Sequence, residues 1–600
     1  MMKYNSKIFA RAACAVMAGV MMAGGLTGCD HGDAKDRTDI AGIAEKYRDK
    51  EKQRKNKSLQ GDGWDSLFDN ASNSVMYEEE CCDVATTAGD TVMAPDTSNG
   101  MYTGITYDTR EYDSMTENGF VSTADRPLST FAADRDTASY SNVRSYIESG
   151  SLPPDGAVRI EEMLNYFTYD YRKKPEDGEK FSIYTEYSDC PWNKDTKLMM
   201  VGINTDEIDF GDKKPSNLVF LIDTSGSMYD DNKLPLVQQS FAMLAENLDE
   251  NDRVSIVTYA GEDTVVLSGT SGSEQYTINE ALSSMTAEGC TNGGDAIITA
   301  YELAEKNFIN GGNNRVILAT DGDLNVGLTS ESDLVDLITE EKKENNIFLS
   351  VLGFGTDNLK DNKLEALADN GDGSYAFIDS VYEAKKVLVD EMGGTLNTVA
   401  KDVKFQIEFN PANVKGYRQI GYENRALADV DFANDAVDGG EIGAGHMVTA
   451  LYEIVPADSD FEVLAAERKY GEKTRRVDIS GTESYTSTDN GDGAKNYTGE
   501  LATVNIRYKE PDGDKSTLVS CVVNTDSYSS KMSSDMSFAS AVAAYGMLLK
   551  NSEYAGTADF DMVLSLVSGK TESSSDRYDI IDMQWQDFAD MVCQTQEIKD

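Results

Sequence analysis

The apolar run Leu218-Val-Phe-Leu-Ile222, followed at once by Asp223-Thr-Ser-Gly-Ser227, constrains the fold more than any other stretch. An unbroken apolar segment of strand length between polar residues reads as a strand buried on both faces, as in a parallel sheet. The pattern Asp223-x-Ser225-x-Ser227 then sets one carboxylate and two hydroxyls at the strand's carboxyl end, the edge at which open α/β sheets bind ligands. Hard oxygen donors gathered there suit a hard divalent cation.

Strand and helix patterns keep alternating beyond Ser227. Leu234, Val237, Phe241, Leu244 and Leu248 form one apolar helical stripe. Strand-like runs at Arg253 to Tyr259, Thr264 to Leu267, Arg315 to Thr320, Ile347 to Gly353 and Ser374 to Ile378 alternate with helical patterns at Asp295 to Phe308, Glu331 to Asn345 and Val381 to Met392. Alternation of this kind predicts a doubly wound α/β unit over 214–398 with a mainly parallel sheet. Strand-like texture also precedes the unit, at Phe181 to Tyr187 and Lys197 to Ile203, and returns in Val403 to Phe409, Val448 to Val455 and Val504 to Tyr508. The economical reading is one β-rich domain (179–213 and 399–530) whose chain the α/β unit interrupts; two separate β modules are the alternative.

Helical segments are expected at both ends. Tyr140, Val143, Tyr146 and Ile147 share a face before Pro153-Pro154, and Ile160, Met163, Leu164 and Phe167 share another, within a region 124–178. Near the carboxyl end, Phe538, Val542, Tyr545 and Leu549, then Phe560, Val563, Leu564 and Val567, then Trp585, Phe588 and Val592 suggest a helical cap over 531–600.

Residues 1–29 read as an export signal: Lys3, Lys7 and Arg11 precede an apolar stretch, Ala12 to Gly25, too short to span a bilayer. Leu26-Thr-Gly-Cys29 resembles the lipobox of bacterial lipoproteins, which implies Cys29 as a lipidated mature amino terminus on the extracytoplasmic face of a cell membrane. Residues 30–123, rich in charge, Ser, Thr and Gly without sustained periodicity, read as a disordered acidic tether. The eight cysteines contain no C-x-x-C pair; a Cys190–Cys521 bridge stays open without support from spacing. A net charge of -51 excludes a phosphate-backbone partner, so no nucleic acid is expected.

Two later segments complete the oxygen cluster: Gly289-Cys-Thr291-Asn-Gly-Gly294 offers the Thr291 hydroxyl, and Thr320-Asp321-Gly322 the Asp321 carboxylate. Asp-x-Ser-x-Ser, then Thr, then Thr-Asp-Gly resembles the metal-ion-dependent adhesion site (MIDAS) of von Willebrand factor A domains. The resemblance implies a metal held by Ser225, Ser227 and Thr291, with Asp223 and Asp321 in support, and an open position for a partner's acidic residue. Mg²⁺ is the implied ion, with Mn²⁺ or Ca²⁺ as substitutes. Thr137-Ala-Ser-Tyr-Ser-Asn-Val-Arg144, Leu152-Pro-Pro154, Val158 to Phe167 and Ala539 to Leu549 extend it to a bacterial family of A-domain lipoproteins, over roughly 127–595. Asp295, after Gly293-Gly294, departs from the usual pattern.

The resemblance implies a metal-dependent protein-binding protein that captures an Asp or Glu side chain, not an enzyme; partner identity and oligomeric state stay open. An envelope scaffold whose ion only steadies the fold is the alternative, and an extracytoplasmic hydrolase a more remote one. The chain has only two histidines, His31 in the tether and His446 in a loop setting, and no phosphate-binding G-x-x-x-x-G-K-[ST] loop. Asp489-Asn-Gly-Asp-Gly493 with Glu500 imitates an EF-hand count but has Ala494 where glycine is needed.

Overall fold

A computed structural model describes residues 110–599 apart from 114, 135, 172–174, 176–178, 207–213, 262, 290–295, 323–330, 392–393, 395–396, 438, 465–496, 512, 514 and 569–579. The export signal, Cys29, most of the expected tether, Thr291, Asp295 and the EF-hand-like Asp489–Gly493 run therefore lie outside the described residues.

In chain order, β1 (Val121–Ser122), β2 (Leu128–Ala132), α1 (Ala138–Glu148), α2 (Ile160–Tyr166), β3 (Phe181–Asp189) and β4 (Lys197–Thr205) come first. The α/β unit runs β5 (Ser216–Asp223), α3 (Leu234–Ala245), β6 (Arg253–Tyr259), β7 (Asp263–Ser271), α4 (Gln275–Ser283), α5 (Ala296–Lys306), β8 (Asn313–Thr320), α6 (Glu331–Glu340), β9 (Phe348–Phe354), α7 (Asp361–Asn370), β10 (Tyr375–Ile378) and α8 (Val381–Lys385). The chain continues with β11 (Thr398–Phe409), β12 (Val414–Ile420), β13 (Gly440–Gly443), β14 (Met447–Pro456), β15 (Glu500–Lys509), β16 (Ser516–Asn524), α9 (Ser534–Leu549), α10 (Phe560–Ser568) and α11 (Ile580–Lys599). Among the described residues no helix is long and apolar enough to cross a membrane.

The α/β sheet has the order β10-β9-β8-β5-β6-β7, parallel except for the antiparallel edge strand β7. β5 lies inside it with every residue buried, as its apolar run requires. Its side chains alternate: Leu218, Phe220 and Ile222 enter the core under α3 and α4, whereas Val219 and Leu221 enter the core under α5, α6 and α7. With both faces covered, a ligand meets the sheet at the edge where the parallel strands end.

The strands before and after this unit share one sheet, β1-β12-β14-β4-β3, in which β4 pairs with β14 from Ile454↔Lys197 to Met447↔Asn204. A second sheet, β13-β11-β15-β16 with β2 also on β11, faces it. On β4, Met199, Val201 and Ile203 point into the core between the two sheets, and Leu198 and Met200 point to the helices on the other side. That helical side is one core: Tyr140, Met163 and Phe167 pack with Phe538, Tyr545, Trp585 and Phe588, so the terminal helices cover the same sheet face together.

Two expectations change, and the bridge left open between Cys190 and Cys521 does not form. Residues 110–123 are structured, as far as they are described, rather than part of a tether: Glu111 bridges in parallel to Lys360, Phe120 packs on Phe461 and Tyr554, and β1 pairs with β12. β2 forms within the stretch read as helical because β11 supplies its hydrogen-bonding partners from Lys404 to Glu408. Cys190 and Cys521 are both free thiols, Cys190 buried against Glu453 and Cys521 on the edge strand β16.

Candidate functional site

β5 delivers Asp223 to the carboxyl edge of the sheet, and the turn after it folds back on its own carboxylate. The Ser225 amide donates to Asp223 Oδ1 at 2.9 Å, and the Thr320 hydroxyl, at the end of neighbouring β8, donates to Asp223 Oδ2 at 3.3 Å. Asp223, Ser225 and Asp321 are each 0 % exposed, yet the hydroxyls of Ser225 and the exposed Ser227 lie 3.0 Å apart. A rim of buried carboxylates thus ends in a hydroxyl pair of which Ser227 faces solvent and Ser225 is buried.

Asp321 directly follows β8, the strand beside β5. Its Oδ2 accepts from Lys233 Nζ at 3.1 Å, while its Oδ1 is buried without a hydrogen-bond partner among the described residues. An unsatisfied buried carboxylate oxygen is costly and calls for a counter-charge. Lys233, just ahead of α3, also donates to the Ser227 carbonyl at 2.9 Å and pairs with Asp357 at 2.8 Å. The Tyr259 hydroxyl, on β6 directly opposite Asp223 in register, lies buried beneath.

The segment expected to supply Thr291 is tied to the same place as far as it is described. The Gly226 amide donates to the Gly289 carbonyl at 3.1 Å, and the Glu288 amide to the Thr224 carbonyl at 2.9 Å. Gly289 has φ +88, and a Cβ there would meet the Ala260 carbonyl oxygen at 3.0 Å, so this crossing requires glycine.

Burial is the main force on the site's acids. It pushes Asp223 up to about 6, with the Asp321 charge adding to the rise and the hydrogen bonds from Ser225 and Thr320 opposing it. The Tyr259 phenol is raised for the same reason, reinforced by the Asp223 charge. No described cluster of three or more His, Cys, Asp or Glu side chains could hold a metal ion; this constellation combines two carboxylates with hydroxyls. The sequence pattern singled out Asp223, Ser225, Ser227 and Asp321, and these four do converge. It gave no sign of Lys233, Tyr259 or Asp357, which reach the site only through the fold.

Three family models match the chain: "von Willebrand factor" over 106–200, "von Willebrand factor type A domain" over 217–391, and "Uncharacterized protein YfbK, C-terminal" over 394–597. The uncharacterised protein YfbK of Escherichia coli is 41 % identical over 461 residues, covering 76 % of each chain. The chain belongs to the YfbK family. Its α/β unit is a von Willebrand A domain, a family that commonly mediates metal-dependent protein interactions. The human inter-alpha-trypsin inhibitor heavy chain H4 is 31 % identical over 166 residues, 26 % of this chain and 18 % of that one. Among solved structures, a von Willebrand factor type A protein from Catenulispora acidiphila matches at TM-score 0.37 and 15 % identity, covering 71 % of this chain and 91 % of that one. Across the YfbK-like span the A domain accounts for 217–391, and the family's own carboxyl-terminal region begins close to the start of β11.

Proposed function

We propose that this protein is a membrane-anchored, cell-envelope binding protein that grips an acidic residue of a partner protein through a divalent cation. The observation that carries the reading is the convergence of Asp223, Ser225, Ser227 and Asp321 at the carboxyl edge of β5 and β8. The donor set fits the ion: hydroxyl and carboxylate oxygens, a hydroxyl pair that reaches solvent at Ser227, and a buried Asp321 Oδ1 with no hydrogen-bond partner among the described residues. Ser225 and Ser227, with Thr291, would hold the ion, and Asp223 and Asp321 would orient and neutralise it. Bound Mg²⁺ or Mn²⁺ would supply a Lewis-acidic centre for the partner's carboxylate. Because neutral hydroxyls make up most of the set, two carboxylates would not quench that charge fully.

Cys29 would supply the anchor, as the Leu26-Thr-Gly-Cys29 pattern implies. The second reading, a scaffold whose ion only steadies the fold, draws support from Lys233, which already joins the Ser227, Asp321 and Asp357 segments. Co-purification from native membranes separates the two. Partners should be retained by the wild-type protein in Mg²⁺, and lost both in chelator and with Asp223→Ala. Undiminished retention by a folded Asp223→Ala variant would sink the binding reading.

A further inference from the structure

Lys233 is the unusual charge of this site. Its side chain is 1 % exposed, and its ammonium ends on three oxygens: the Ser227 carbonyl at 2.9 Å, Asp321 Oδ2 at 3.1 Å and Asp357 Oδ1 at 2.8 Å. The route to that position is built into the backbone. Gly355 has φ +77, and a Cβ there would lie 2.4 Å from Lys233 Cε, so the loop after β9 leaves a channel that a larger residue would close. A lysine so far from water persists only when paired, and here one partner is buried and the other, Asp357, is half in solvent.

The placement has an electrostatic consequence. The ammonium occupies one oxygen of Asp321 and leaves Oδ1, buried and without a partner among the described residues, as the atom in need of a counter-charge. It also fixes a positive charge beside that carboxylate, offsetting one of the two negative charges, Asp223 and Asp321, that the site offers a cation. Coulomb interactions over such distances are strong away from bulk water.

We propose that Lys233 is a fixed internal cation that sets how tightly the site holds its divalent ion, keeping the ion short of full neutralisation so that it retains charge for an incoming carboxylate. This rests on the metal reading above. Lys233 is a positioning residue: it acts through Asp321, and Asp357 tempers its effect from the solvent side. A lysine serving only as a structural pin makes the opposite forecast, because removing a pin loosens the site and weakens whatever it binds.

The test is Mg²⁺ binding by calorimetry on the full-length protein, comparing wild type, Lys233→Met and Asp357→Asn. Lys233→Met should bind Mg²⁺ about tenfold more tightly, and Asp357→Asn roughly threefold more weakly, since one loses a repelling charge and the other an attracting one. Equal or weaker binding by a folded Lys233→Met variant overturns the proposal. Should that variant fail to fold, Asp357→Asn decides, with unchanged or tighter binding overturning it. Absence of Mg²⁺ binding by all three proteins overturns the metal reading itself, and the role of Lys233 with it.

Discussion

At Glu161 the fold holds a carboxyl group where a charge is poorly tolerated. It is 0 % exposed on α2, neither of its side-chain oxygens has a well-formed hydrogen bond among the described residues, and burial pushes it up to about 7, with the charges of Glu423 and Asp134 adding to the rise and the nearby Glu161 and Tyr422 amides tempering it. A carboxyl raised in the folded state favours the acid form. Its contribution to stability is fully present below the unfolded value near 4.5 and is lost as pH rises through about 7. Glu161→Gln should therefore raise stability by roughly 1–3 kcal/mol at pH 8 and change little at pH 4. Thermal unfolding at the two pH values checks this, and an equal effect at both would contradict it. Single residues were unevenly legible in the sequence. Asp223, Ser225, Ser227 and Asp321 announce themselves through spacing at strand ends, whereas Lys233 and Glu161 look like ordinary charged residues at helix starts. Only three-dimensional packing reveals that each is buried.

Among the elements, β5, β6 and β8 were readable because central strands covered on both faces are rich in apolar residues. β16 was not, since it is an edge strand with Leu518 and Val522 exposed and little alternation to mark it. Its pairing partner is β15, with which it forms a hairpin from Lys509↔Ser516 onward. The helices α1 and α2 were visible from their apolar faces, but not their attachment to the A domain. Arg144 pairs with Asp379 and Glu383, both at 2.7 Å, and Arg159 pairs with Glu162 and with Asp361 at the start of α7. Arg159→Met would leave Glu162 and Asp361 buried without their cation, at a cost of about 3–5 kcal/mol. A denaturant midpoint that stays where it was would show that the clamp contributes nothing.

At the scale of the whole molecule, the sequence left open whether the two β stretches form one unit or two. Period-two patterns identify strands but do not name their partners, so the pairing of β4 with β14 across the entire A domain could not be read from either strand alone. That pairing makes the A domain an insertion. Its first strand follows β4 and its last helix leads into β11, while α1 and α2 brace it through buried ion pairs. Its open edge stays the carboxyl edge, where the Asp223 site lies. The proposed function requires this edge to bind a divalent cation through Asp223 and its neighbours. Thermal unfolding of the full-length protein in chelator and in Mg²⁺, alongside Asp223→Ala, tests it most directly. At a hundred times the dissociation constant, Mg²⁺ should stabilise the wild type by about 2.7 kcal/mol and leave the variant unmoved. A wild type indifferent to Mg²⁺, or a variant that responds equally, would contradict the account.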